Sequence, residues 1–288
     1  MVTQGSAPLA LRHRGPSRRA AIALVAMAVL TAVACDPPKP SPVPATGSCK
    51  PNPFTADFQR RIDAMGAAAH HVTAAVYDDR TGCWYHLRRG QRVTTASVVK
   101  IEIMAAALLR AQDQGRGLTD WEISKDTPMM HSSNDPAASA LWVNLGGVRG
   151  MSAYGTRLGL PATIETEPKW GLTSTTAEDQ AAFVHGLLQG NVLRPAGKGA
   201  AWWQLRNVRE DQQWGIRRGV PRGWVVGQKN GFFDSACCGW RVNSVGYVAD
   251  PAGGGYSIAI LSDGWRSLPE GIPMVETVAA QVAGSLTK

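Results

Sequence analysis

Apolar positions along this chain recur with two different periods, and the changes between them outline a fold. "PFTADFQRRIDAMGAAA" carries Phe54, Phe58, Ile62 and Met65 at helical spacing, with Thr55 placed to cap the helix. "HVTAAVYD" and "CWYHLRR" read as two strands joined by a turn at "DRTG". From Thr94 to about Trp214 helical patterns dominate, among them "DPAASALWVNLG" and "TTAEDQAAFVHGLLQG". Strand patterns return in "GWVVGQKNGFF", "WRVNSVGYVAD" and "YSIAILSDG", and "VETVAAQVAGSL", Val275 to Leu286, closes as a helix. This order predicts an α/β (α+β) domain over residues 54–288. A five-stranded antiparallel sheet is flanked by the terminal helices (lobe 54–96 and 216–288), and an all-α lobe (97–215) is inserted between its strands. No internal repeat is visible.

One helical segment does not fit simple core packing. "TTASVVKIEIMAAALLR", Thr94 to Arg110, is apolar around nearly its whole circumference, as in a helix buried mid-protein. Yet Ser97 stands at its start and Lys100 one turn later. A buried lysine charge is costly unless it is paired or deprotonated. The ordinary explanation makes Ser97 a helix cap and lets Lys100 reach water. The alternative is a nucleophile and its base. At i and i+3 the two side chains share one helix face. The positive helix N-terminus suits a developing oxyanion. A lysine desolvated near another cation favours its neutral form and can take a proton from serine.

Two more elements would complete such a site. "GQKNGFF" supplies Lys229-Asn230-Gly231 in the first strand after the helical stretch, and Gly231 leaves room for a substrate backbone. "MMHSSNDPAASALW" places hydroxyls and amides before a helix whose expected cap is Asp135, with Pro136 in its first turn. A second Ser-x-x-Lys, Ser285 to Lys288, lies at the chain end without such context.

In order and spacing, Ser97-x-x-Lys100, the Ser133 element and Lys229-Asn230-Gly231 resemble the Ser-x-x-Lys, Ser-Asp-Asn and Lys-Thr-Gly motifs of class A β-lactamases and penicillin-binding proteins. The resemblance covers about residues 54–288 and implies the β-lactamase/DD-peptidase fold. It implies an acylated nucleophile in Ser97, a base or proton relay in Lys100, and in Ser133 a proton donor to the leaving nitrogen. Lys229 would hold a substrate carboxylate. The backbone N–H groups of Ser97 and Phe232 would form the oxyanion hole. Asn134, Asp135, Asn230 and Gly231 would line the substrate.

This chain departs from the pattern at three places. Aligned on "AASALW", the middle motif is Ser133-Asn134-Asp135, with acid and amide exchanged; aligned on Ser-x-Asn it is Ser132-Ser133-Asn134. Asn230 replaces a threonine but keeps a donor and an acceptor. In "ETEPKWGLTSTTAEDQ", Glu167-Pro168 falls on the family's Glu-Pro, but Gly171 replaces its water-holding asparagine and Glu165 stands where a stabilising arginine is expected. Glu167 is the candidate for deacylation, though an incomplete water-activating pair favours penicillin-binding-like chemistry over an efficient β-lactamase. A functional class A-type β-lactamase and a catalytically silent envelope-binding protein of the same fold are the alternatives.

The N-terminus implies export. Arg12, Arg14, Arg18 and Arg19 precede the apolar run Ala20 to Ala34, which is short for a membrane span and ends "AVAC". Residues 1–34 read as a signal peptide and Cys35 as a candidate lipidation site, so the mature protein is expected outside the cytoplasm, either secreted and extracellular or, if lipidated at Cys35, tethered to a membrane at the cell envelope. Residues 35–53, with prolines at 37, 38, 40, 42 and 44, read as an extended tether. The net charge of +8 falls to +4 without that leader, 26 basic against 22 acidic residues, and no basic run with aromatic interleaving suggests nucleic acid. Four cysteines remain: Cys49, Cys83, Cys237 and Cys238. An oxidising compartment implies disulfides. Neighbouring cysteines rarely pair, so Cys237 and Cys238 are each expected to reach Cys49 or Cys83. No zinc spacing or phosphate loop is present, so no metal or cofactor is expected. We expect a monomer acting on a small molecule or peptide, a β-lactam or cell-wall peptide. His131 and Arg241 are weaker candidates for substrate contact, and the His70-His71 pair, pointing to opposite strand faces, does not form a metal site.

Overall fold

The computed structural model describes residues 47–288, so the expected leader, Cys35 and most of the proline-rich stretch lie outside the described residues. The first helix, α1 (Ala56–Ile62), is capped by the Thr55 hydroxyl, which accepts from the Phe58 amide, as the spacing predicts. Strands β1 (His71–Asp78), β2 (Cys83–Leu87) and β3 (Arg92–Thr94) follow. The helical stretch comprises α2 (Val99–Asp113), α3 (Asp120–His131), α4 (Asp135–Asn144) and α5 (Gly147–Leu158), then strand β4 (Ser174–Thr176), α6 (Ala177–Leu188) and α7 (Pro195–Arg206). Strands β5 (Val225–Phe233), β6 (Arg241–Ala249) and β7 (Gly255–Asp263) lead into α8 (Leu268–Leu286). That last helix begins seven residues before the predicted start because Ser267 caps it and its prolines fall in the first turns.

The five-stranded antiparallel sheet has the order β2-β1-β7-β6-β5, so chain termini build its middle and β5 is an edge. Strand alternation sorts its side chains into two cores. Val72, Ala74, Val76, Ile258 and Ile260 pack with α1 and α8 residues such as Phe58 and Val278. Ala75, Val245, Ala259 and Leu261 face the helices, where Ile101, Met104, Leu108, Leu141 and Phe183 are buried. Strands β3 and β4 form a two-stranded ribbon that the sequence pattern does not reveal; each is only three residues long.

The cysteine expectation is corrected. Cys49 bonds Cys83 across 34 residues, and Cys237 bonds its neighbour Cys238. Both members of the vicinal pair are exposed in the β5–β6 connection. The first bridge closes Cys49 against Cys83 on edge strand β2, so that among the described residues Cys237 and Cys238 have only each other.

Candidate active site

Ser97 lies in a 3-10 turn, Ala96–Val98, that leads into α2. Its hydroxyl caps no helix amide; it accepts a hydrogen bond from Lys100 Nζ at 3.0 Å. Ala96, just before it, has φ of 50°, a left-handed conformation unusual for a residue with a Cβ. Neighbouring elements hold this turn. Asn243 of β6 donates to the carbonyls of Thr94 and Thr95 at 2.9 and 3.1 Å, and the Thr95 amide donates to the Thr173 carbonyl at 2.8 Å. Strand β5 closes against it through Gly231. A Cβ there would lie 2.6 Å from the Thr95 carbonyl oxygen and 2.8 Å from the Ser97 nitrogen, so only glycine permits the approach.

Lys100 is fully buried, and its ammonium meets four oxygens. Besides Ser97 Oγ these are the Ser133 carbonyl at 2.7 Å, Ser133 Oγ at 3.0 Å and Asp135 Oδ1 at 2.5 Å. The Trp170 ring covers it at 4.9 Å. Burial lowers the Lys100 pKa below the ordinary lysine value, and Asp135 opposes that effect. Lys229, also fully buried, donates to Ser133 Oγ at 3.0 Å and to the Asn230 carbonyl at 2.9 Å. It bonds no carboxylate, and burial, reinforced by the nearby Lys100 charge, brings its pKa down to about 7. Ser133 Oγ thus joins the two lysines, and a φ of 59° turns Ser133 toward them.

The middle motif resolves onto Ser133. Ser132 points away and donates to the Pro128 carbonyl. The expected helix cap is corrected: Asn134, not Asp135, caps α4, accepting from the Ala137 amide at 2.8 Å. Its amide is thereby occupied, while the Asp135 side chain, 69% exposed, turns to Lys100. Asn230 is likewise corrected as a substrate-binding residue. It is 1% exposed and donates to the Gln212 and Trp214 carbonyls, tying β5 to the segment before it. Period-two alternation explains this: Lys229 and Gly231 face the serine, while Asn230 faces the other side.

A cleft of about 600 Å³ is lined by Ser97, Asp135, Ser139, Trp170, Phe232 and Asp234, among others; Lys100, Ser133, Lys229 and Glu167 are not among its lining residues. Glu167 Oε1 accepts from the Val148 amide at 3.3 Å at the start of α5, beyond a cis Glu167-Pro168 bond. Arg241 is buried, its guanidinium held by Thr94 Oγ1 at 2.8 Å and the Gly239 carbonyl at 2.9 Å. His131 packs on the Trp203 ring at 4.9 Å. Trp170 was not legible as a site residue; its only signal is its place two residues after Pro168 in the altered loop.

The sequence pattern of the beta-lactamase enzyme family matches residues 127–286, more than half of the 288-residue chain. The chain belongs to the beta-lactamase enzyme family. The matched span holds Ser133 and Lys229 and begins after Ser97 and Lys100. The fold agrees: a beta-lactamase from Xanthomonas campestris superposes with a TM-score of 0.70 at 19% identity, covering 80% of this chain and 97% of that one. A variant of PBP-A, solved as an acyl-enzyme complex with penicillin G, superposes with a TM-score of 0.69 at 18% identity, covering 82% and 99%. In sequence, the chain is 26% identical over 219 residues to LppW of Mycobacterium tuberculosis, a protein named as a candidate lipoprotein, covering 71% of this chain and 69% of that one. Family membership makes the protein a serine hydrolase of β-lactamase type, an α+β enzyme with a five-stranded antiparallel sheet.

Proposed function

We propose that Ser97 is the nucleophile of an exported, envelope-tethered hydrolase that forms an acyl-enzyme on an amide substrate, a peptide or a β-lactam. The observation that carries this reading is the Lys100 ammonium, buried and 3.0 Å from both Ser97 Oγ and Ser133 Oγ. In its neutral form Lys100 Nζ takes the Ser97 proton as Oγ bonds to the substrate carbonyl carbon. Ser133 Oγ, between the two lysines, passes a proton to the leaving nitrogen as the C–N bond breaks. Charged Lys229 attracts a substrate carboxylate, and the cleft face of Ser97 and Phe232 receives the oxyanion. Water later cleaves the ester and restores Ser97.

Deacylation is the slow step. Glu167 is spent on the Val148 amide, and Asp135 is the carboxylate that reaches Lys100. Water activation beside the ester therefore lacks the Glu–Asn pair expected of class A enzymes, which supports penicillin-binding-like behaviour. Envelope tethering through Cys35 is supported by the leader-like sequence and by the lipoprotein name of the mycobacterial relative. Among the described residues, no helix is long and apolar enough to cross a membrane.

Intact mass of the domain after incubation with benzylpenicillin, beside Ser97→Ala, tests the reading. A lasting adduct on the native protein alone is expected. Penicillin consumed without an adduct would make the protein a turning-over β-lactamase. No adduct and no consumption, with wall peptides still bound by Ser97→Ala, would make it a silent binding protein.

A further inference from the structure

The acylation chemistry gives no task to the indole that covers its base. Lys100 does not line the cleft, yet three side chains that do line it touch the ammonium. They are Ser97 at 3.0 Å, Asp135 at 2.5 Å and the Trp170 ring, its centroid 4.9 Å away. Ser97 and Asp135 present oxygens that can exchange protons. The Trp170 ring presents an apolar face. A side chain that lines the cleft and lies on the ammonium stands between the two. On that side Lys100 therefore meets a ring where it would otherwise meet water.

Both the backbone and the side chain of Trp170 are held. The residue opens a 3-10 turn, Trp170–Leu172, in which the Leu172 amide donates to the Lys169 carbonyl at 2.9 Å and the Thr173 amide to the Trp170 carbonyl at 3.0 Å. That turn is tied to the one carrying Ser97. The Thr95 amide donates to the Thr173 carbonyl at 2.8 Å, and a Cβ on Gly171 would lie 3.9 Å from Ala96 Cα, in ordinary contact. The indole Nε1 donates to Ser139 Oγ of α4 at 3.1 Å, and the ring packs against the buried core of the helical lobe. The backbone thus sets where the side chain starts, and packing and the hydrogen bond set how the ring lies over Lys100.

Water beside neutral Lys100 would be well placed to cleave the Ser97 ester. Its oxygen would bond to the ester carbonyl carbon as one of its protons passed to Nζ. The C–Oγ bond would then break as Ser97 Oγ took that proton back, releasing a carboxylic acid. We propose that Trp170 is a shield over Lys100 that denies water this position and so makes the acyl-enzyme long-lived. Glu167, bonded to the Val148 amide, is absent from the cleft lining as one water activator, and Trp170 bars the other. The effect on the acyl-enzyme rests on the proposed role of Ser97; the shielding of Lys100 does not.

Two readouts on native protein, Trp170→Phe and Trp170→Ala separate these claims. Phenylalanine keeps a ring over Nζ but gives up the bond to Ser139; alanine removes the cover. Reductive methylation with formaldehyde and cyanoborohydride reports access to Lys100, read by peptide mass spectrometry against exposed Lys288 and buried Lys229. Methylation of Lys100 is expected to be at least fivefold faster in Trp170→Ala than in native protein and within about twofold of native in Trp170→Phe, with Lys229 unchanged in all three. The lifetime of the benzylpenicillin adduct, read by intact mass, is expected to fall at least tenfold in Trp170→Ala and less than about threefold in Trp170→Phe. Equal methylation of Lys100 in the three proteins would overturn the proposal, as would a Trp170→Ala adduct that lasts as long as the native one. So would a Trp170→Phe protein that behaves like Trp170→Ala, because the hydrogen-bond anchor and not the cover would then be at work. Faster methylation of Lys229 together with Lys100 would mean general loosening and overturn it too. Lys100 opened only by alanine, with no protein ever acylated, would keep the shield and overturn the Ser97 reading together with the effect on ester lifetime.

Discussion

Lys100 and Glu102 stand two residues apart on one buried helix, and their surroundings could hardly differ more. Lys100, with no side-chain exposure, has four oxygens within 3.0 Å, one of them an exposed carboxylate. Glu102 is as deeply buried, and neither of its carboxyl oxygens has a hydrogen-bond partner among the described residues. The first region can carry a charge and let it move; the second can exist only if it suppresses one. Burial pushes both toward neutrality, the lysine downward in pKa and the glutamate upward. The lysine has hydroxyl and carboxylate partners, whereas the glutamate has none among the described residues.

Ser97→Ala should remove covalent labelling by penicillin entirely, read by intact mass. Lys100→Met should keep the fold and slow acylation by a factor on the order of 10² to 10⁴, the usual worth of a positioned base. Glu102→Ala should cost about 2 kcal/mol, because it opens a cavity in the helix packing, and should lower Tm by several degrees.

Opposite pH slopes sharpen the contrast. Glu102 is protonated in the folded protein at pH values where the unfolded chain is ionised. The folded state then binds more protons, so stability is fully present below the usual glutamate pKa and declines as pH rises toward the folded value. Lys229, at about 7 when folded, is neutral where the unfolded lysine is charged. Between about pH 7 and the unfolded value near 10, stability therefore climbs with pH. Each slope is bounded at about 1.4 kcal/mol per pH unit. Thermal melts should show the falling component vanish in Glu102→Gln and the rising component vanish in Lys229→Met. The smallest effect is expected from Glu167→Gln, within about 0.5 kcal/mol of native stability and with an adduct lifetime changed less than about twofold, since its carboxylate serves a surface amide.

The strands and helices were legible because each has a solvent or core face with a clear period. "HVTAAVYD" aligns residue for residue with β1, and "GQKNGFF" ends β5. Ser97, Lys100, Ser133 and Lys229 were legible because a lysine in an apolar helix is a local anomaly, and their meeting follows from the ordered motifs. Glu102, an acid in the same apolar run, is an anomaly of equal strength, but no motif pairs it with another residue.

Periodicities, the chain order of sheet and helices, and the spacing of Ser97 and Lys100 on one helix face are read from neighbours a few positions away along the chain. Tertiary structure alone decided which of two serines faces the lysines, that Asn134 is spent as a cap while Asp135 pairs with Lys100, and that Asn230 turns from the cleft. It also decided the pairing of Cys237 with Cys238 and left the carboxylate of Glu102 buried without a donor among the described residues. Side-chain orientation and desolvation depend on groups brought together from distant parts of the chain, and only the folded packing supplies those distances.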